Sequence, residues 1–139
     1  MASSNLTSVM AVASSGLQAQ STRMKVIAEN IAGAATTPSK PGETPYQRQV
    51  VTFKNEFDRA LGVSTVKVDG VVKDRSEFVK QFDPSHPAAD ADGYILKPNV
   101  KPIIESMDMK EAQRAYEANL TVIEASRSML LNTISLLRK

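Results

Sequence analysis

The chain has no cysteine and no tryptophan, and aromatic residues make up only 5% of its 139 residues. Without cysteine there is no disulfide, no thiolate nucleophile and no cysteine-based zinc site. With so little aromatic area, the apolar core is expected to be thin. An excess of one charge is also missing. Lys and Arg number 17 against 15 Asp and Glu, a formal net charge of +2. That balance gives no electrostatic case for nucleic acid, whose binders concentrate basic charge on one face. Nothing approaches 18 consecutive apolar residues, so no transmembrane helix is expected. The first 22 residues carry no charged side chain, yet they do not read as a cleaved signal peptide. That would need a basic start and an unbroken apolar stretch, and Ser, Thr, Asn and Gln interrupt every run.

What the chain does have is periodicity at both ends. Leu6, Met10, Ala13, Leu17, Gln20, Met24, Ile27 and Ile31 alternate spacings of four and three, the pattern of a coiled-coil seam. Gln20 is its polar position. Gly16, inside the pattern, weakens the helix by roughly 1 kcal/mol relative to Ala. The helix is expected to stop near Gly33, before Thr36-Thr37-Pro38. About 28 residues make a rod of about 42 Å. Met109, Ala112, Tyr116, Asn119, Ile123, Ser126, Leu130, Thr133 and Leu137 repeat the alternation. A second row, Ala115, Val122, Met129 and Leu136, runs beside it, so two bulky rows flank the small residues Ala112, Asn119, Ser126 and Thr133. Two starts are open for this helix. Asp108 with Glu111 resembles a capping box, whereas Pro102 suits a first turn beginning near Lys101. Arg138 and Lys139 suit the negative end of the helix dipole.

A helix hairpin complete in itself is the plain reading of two such helices. But one pair buries one seam, and it leaves a bulky row uncovered. Uncovered apolar helices are marginal in water, so the pattern points to a self-assembling or partner-binding chain.

Residues 36–100 hold six of the seven prolines and most β-branched runs. Pro38, Pro41, Gly42 and Pro45 read as a linker. Tyr46 to Phe53 and Val63 to Val72 read as strands; Asp69-Gly70 is either a hairpin turn or a bulge. Phe78 to Phe82 and Tyr94 to Leu96 read as a further strand, turn and strand.

That turn, Asp83 to Tyr94, is DPSHPAADADGY, with the one histidine and three aspartates. A helix–loop–helix calcium loop would need alternating acids, then Gly, then Glu at position twelve. No third acid alternates with Asp90 and Asp92. A zinc site would need three or four ligands. Catalysis by His86 lacks a nucleophile elbow, a phosphate loop and a carboxylate pair. Asp-Pro, His-Pro and Asp-Gly are turn chemistry, so an exposed strand connection is expected, with no catalytic, metal or cofactor site.

Four segments carry a resemblance. Ala13 to Gln20, ASSGLQAQ, looks like the start of rod-protein helices. Glu29-Asn30-Ile31-Ala32 followed by Thr36-Thr37 looks like a motif shared by flagellar axial proteins. Asp83 to Val100, DPSHPAADADGYILKPNV, and Arg114 to Asn119, RAYEAN, look like segments of FlgC-type rod proteins. Gly33 stands where the axial motif has its second Asn, so the helix stop is kept and a side-chain amide is lost. The chain thus resembles the proximal rod proteins of the bacterial flagellar basal body, with a middle segment closest to alphaproteobacterial members.

The resemblance implies an α+β fold, with long N- and C-terminal helices paired as an antiparallel coiled coil and a small antiparallel β module inserted between them. The division would be a rod-core helix at 1–34, a linker at 35–45, a β-rich outer module at 46–100 and a second rod-core helix at 101–139. It implies a structural, non-enzymatic subunit of the drive shaft that passes torque from the inner-membrane ring to the distal rod. Neighbours would be FlgB, FlgF, FlgG, the ring–rod adaptor FliE and other copies of the chain. Export would use the flagellar type III apparatus, without signal cleavage, to a periplasmic rod. Assembly contacts are expected from Leu6, Met10, Leu17, Met24, Ile27, Asn30 and Ile31 on the first helix. The second would offer Tyr116, Asn119, Val122, Ile123, Met129, Leu130, Leu136 and Leu137. The turn would add Asp83, Pro84, His86, Pro87, Asp90 and Gly93. Another secreted, self-assembling coiled-coil subunit or adaptor is the alternative.

Overall fold

A computed structural model describes residues 2–138. In chain order it has α1 (Ala2–Ala34), β1 (Gln49–Asp58), β2 (Val63–Lys73), β3 (Val79–Phe82), β4 (Tyr94–Lys97) and α2 (Pro102–Leu137). The class is α+β: two long helices with a small antiparallel β module between them. No helix among the described residues is long and apolar enough to cross a membrane.

α1 runs for 33 residues, about 50 Å, somewhat longer than its seam predicts. Thr36 closes it: its N–H and its hydroxyl both donate to the Gly33 carbonyl, at 3.1 and 2.6 Å. α2 begins at the earlier of its two candidate starts. Pro102 occupies the first turn, and Lys101 at the cap makes no side-chain bond. Asp108 and Glu111 lie inside the helix, so they form no capping box. Arg23 of α1 takes their carboxylates instead, at 4.0 and 3.3 Å. Arg138 is the C-cap; Lys139 lies outside the described residues.

The helices pair antiparallel. Asn30 meets Glu105 near one end, at 3.0 Å. Further along, a Cβ built on Gly16 would stand 2.9 Å from the Asn119 side chain. Glycine is thus what lets the helices approach there, a gain that offsets its cost in helix stability.

The β module is two separate hairpins, β1–β2 and β3–β4, rather than one sheet. β1 starts at Gln49, not Tyr46, because asparagine side chains intercept the backbone before it. The Arg48 N–H donates to Asn99 Oδ1 at 2.8 Å and the Gln49 N–H to Asn30 Oδ1 at 2.9 Å. Asp69-Gly70 is a bulge. Thr52 pairs with Gly70 and Phe53 with Val68, which leaves Asp69 as the extra residue. The actual turn follows Asp58. Its Oδ1 accepts from the N–H groups of Ala60 and Leu61, and Gly62, at φ 67°, donates to the Asp58 carbonyl at 2.8 Å.

The first hairpin lies along α1. The Val66 N–H donates to Ser15 Oγ at 3.2 Å, and Ser8 Oγ reaches the Leu61 carbonyl at 3.4 Å. Buried apolar side chains fall into two groups. Ala13, Ala19, Val26, Ile27 and Ala112 belong to the helices; Ala88, Ile95 and Val100 belong to the second hairpin and the chain leaving it. Half of these are alanines, so the core is thin, and polar contacts carry much of its specificity.

Candidate assembly interface

At one end of the helix pair a polar clamp ties four segments together. Asn30 is 1% exposed and Glu105 0% exposed. Asn30 satisfies its full hydrogen-bonding capacity. Its Nδ2 donates to Glu105 Oε2 (3.0 Å) and to the Gln49 carbonyl (2.8 Å). Its Oδ1 accepts from the Gln49 N–H (2.9 Å) and the Tyr46 hydroxyl (3.0 Å). The side chain therefore acts as one rung of a β ladder, docking β1 onto α1. The other oxygen of Glu105 accepts from Arg48 Nε at 2.5 Å. The Arg48 guanidinium also faces Asp74 at 3.4 Å and Asp108 at 3.5 Å. Asn99 completes the set: it holds the Arg48 N–H and donates to the Asp74 carbonyl and to Ser76.

The electrostatics follow from these contacts. Burial alone would lower the Arg48 pKa, but the hydrogen bond and charge of Glu105, with those of Asp74, raise it above its ordinary value. Hydrogen bonds from Ser76, backbone first, hold the Asp74 carboxyl below the ordinary 3.8, with Arg48 helping. Burial lifts the Tyr46 hydroxyl above the ordinary 10.0, and the charge of Glu29 adds to it. The Tyr46 ring also lies against Gly33, where a Cβ would come within 2.5 Å of it. The glycine that replaces the motif's asparagine thus makes room for this ring.

The seam residues divide by exposure. Ile27 and Asn30 are buried within the chain, and Leu6, Met10, Leu17, Met24, Tyr116, Asn119, Ile123 and Leu130 are half-buried. Gln20, the polar position, buries its Oε1 without a hydrogen-bond partner. Ile31 is exposed, and so is the second row of α2 beyond the half-buried Ala115. Val122 is 41% exposed, Met129 58%, Leu136 76%, and neighbouring Leu137 83%. An apolar row on a 36-residue helix thus faces outward, rising in exposure away from the clamp.

The turn at 83–94 folds on its own polar atoms. Ser85 donates to Asp83 Oδ1 at 2.7 Å. His86 Nδ1 accepts from the Ala88 N–H at 3.1 Å, which places the imidazole proton on Nε2. Asp90 Oδ1 accepts from the N–H groups of Asp92 and Tyr94. Gly93 is buried at φ 82°, beside the Phe82 ring. Pro84 and Pro87 are exposed, as is Asp90; Asp83 and His86 are half-buried. Across the strands, Phe82 and Tyr94 stack edge to face at 5.2 Å. Among the described residues no group of three or more His, Asp or Glu side chains is placed to hold a metal ion.

Sequence reasoning missed Arg48, Asp74, Asn99, Glu105 and Asp108. One signal was present. The small-residue row Ala112, Asn119, Ser126 and Thr133, extended back by one heptad, lands on Glu105. An acid on that row must be paired in the interior.

Known proteins set the class. Residues 10–37 match the family described as flagella basal body rod protein, and residues 91–136 match the flagellar basal body rod FlgEFG protein C-terminal family. Both helices of the pair therefore carry the pattern of a flagellar rod subunit. The chain is 47% identical to the flagellar basal-body rod protein FlgC of Agrobacterium fabrum, with 96% of each chain covered. It is 36% identical to FlgC of Salmonella typhimurium (94% of this chain, 97% of the relative) and 34% to FlgC of Bacillus subtilis (90% and 93%). The chain belongs to the FlgC family of flagellar basal-body rod proteins and is a structural subunit of the rod.

Proposed function

We propose that this subunit builds the proximal part of the rod, packing helically to carry torque from the inner-membrane ring toward the distal rod. The observation that carries the reading is the outward apolar row Val122, Met129 and Leu136, with Leu137 beside it. A soluble helix does not leave so much apolar surface to water without something that covers it. Burial of that row between subunits contributes roughly 25 cal/mol per Å², spread over many small contacts as a shaft requires. The neighbours are other copies of the chain, the rod proteins FlgB, FlgF and FlgG, the adaptor FliE and the inner-membrane ring.

The half-buried seam residues, among them Leu6, Met24, Tyr116 and Leu130, set the shape of the rod-core helices within 1–34 and 101–139. Residues 46–100 form the outer module, joined by the linker at 35–45. The turn at Asp83, Pro84, His86, Pro87, Asp90 and Gly93 meets a neighbour at the rod surface through its shape. Asp90 accepts from backbone amides and Asp83 from the Ser85 hydroxyl, which fits a role without catalysis. The rod is reached in the periplasm by type III export.

The test is deletion of the gene in its host, with the envelope imaged by cryo-electron tomography. Membrane rings without a complete rod, and no assembled filament, support the reading. Complete flagella on swimming cells overturn it.

A further inference from the structure

We propose that the clamp of Asn30, Arg48 and Glu105 sets the register of the helix pair, and so fixes where the outward row of α2 stands relative to the β module. The seam alone does not set it. Gly16 lies two heptads before Asn30, and Asn119 two heptads after Glu105, so both contacts belong to one register. Between and beyond them α2 presents Ala112 and Ser126, both buried and both small. Sliding α2 by one heptad would bring Ala112 or Ser126 opposite Gly16, and neither side chain is large enough to forbid it. In one direction Glu105 would even find Arg23, which lies one heptad before Asn30. What a slip destroys is the clamp. Asn30 would lose its bond to the Glu105 carboxylate, and Arg48, pinned by Asn99, would lose its buried partner. Unpaired buried polar groups are heavily penalised, and a single polar position is enough to specify pairing in helical seams.

These are positioning residues. The inference holds whichever neighbours cover the outer row. A slip of one heptad moves Val122, Met129 and Leu136 by about 10 Å along the axis, enough to misplace every contact they make.

The chain has no cysteine, so introduced pairs report register without background. On the purified full-length chain, Gly16→Cys with Asn119→Cys reads the native register. Gly16→Cys with Ala112→Cys or with Ser126→Cys, each with Asn119→Ala to clear the new Cβ, reads the two slipped ones. In the parent, oxidation is expected to favour the native pair by about tenfold or more. Replacing the clamp with apolar side chains of similar size (Asn30→Leu, Arg48→Met, Glu105→Leu) keeps a folded chain. The slipped pairs should then rise to within about twofold of the native one. Glu105→Gln, which keeps the shape and an acceptor for Asn30, should fall between the two. A native-only pattern in the triple variant overturns the proposal. If the triple variant loses its helical signal, Glu105→Gln alone decides: a rise in slipped bonds supports the proposal, and an unchanged ratio overturns it.

Discussion

The two ends of the helix pair are built differently. Near Asn30 and Glu105 the chain closes on itself. Four segments meet, each buried polar atom of the clamp has a partner, and Val26 and Ile27 are covered. Near Met129 and Leu136 nothing closes. Apolar side chains face outward, uncovered by the described residues. One end is complete within a single chain, and the other leaves an apolar row uncovered. A subunit that must fold by itself and still join a shaft needs both.

The largest expected effect lies at the closed end. Glu105→Ala strands Arg48 and Asn30 and should cost about 3–5 kcal/mol in urea unfolding. A loss below about 1 kcal/mol would mean that water relieves the clamp and the contrast between the ends is weak. Next comes Gly33→Ala, whose Cβ meets the Tyr46 ring. It should cost about 1–3 kcal/mol. Combined with Tyr46→Ala, the two losses should be clearly less than additive; simple additivity would separate the two positions.

At the open end the order reverses. Met129→Glu should move the stability of the free chain by no more than about 0.5 kcal/mol while abolishing swimming. A large loss of stability would place Met129 in the subunit's own core.

Stability against pH sharpens the same contrast, since the titrating groups cluster at the closed end. Asp74 has a lowered pKa, so its contribution is present above the ordinary 3.8 and is lost as pH falls through the lower folded value. Tyr46 has a raised pKa, so its contribution is complete below the ordinary 10.0 and is lost as pH rises through the higher folded value. A plateau across neutral pH is expected. Its alkaline edge should disappear in Tyr46→Phe, and persistence of that edge would assign it elsewhere. The smallest effect is at the turn. His86→Ala removes one acceptor for the Ala88 N–H, worth about 1 kcal/mol, and should leave swimming nearly intact. Complete loss of motility would reopen a chemical role for the imidazole.

The open end was legible in the sequence because it obeys helical periodicity. Val122, Met129 and Leu136 are a heptad apart, and a single pair of helices has no second seam for them. The turn at 83–94 was legible because Asp-Pro and Asp-Gly act locally. The clamp was not, because it is long-range. Asn30 and Glu105 are separated by 75 positions, and Arg48 reads as one charged residue in a strand-like run. Tyr46 carries strand propensity, but Asn30 and Asn99 take the neighbouring backbone N–H groups and delay the ladder to Gln49. The sheet division was hidden for the same reason. Asn99 binds the Asp74 and Ser76 carbonyls, occupying the chain between β2 and β3. The bulge at Asp69 follows from pairing on both sides of it, which a single strand does not reveal.

Hydrogen exchange on the free chain and on purified basal bodies tests the contrast most directly. Exchange around Asn30, Gln49 and Glu105 should be slow in both. Amides near Leu6 and from Val122 to Leu136 should exchange fast in the free chain and slowly in the rod. Fast exchange in that open half within assembled rods would contradict the account, because its apolar row would then be covered by nothing.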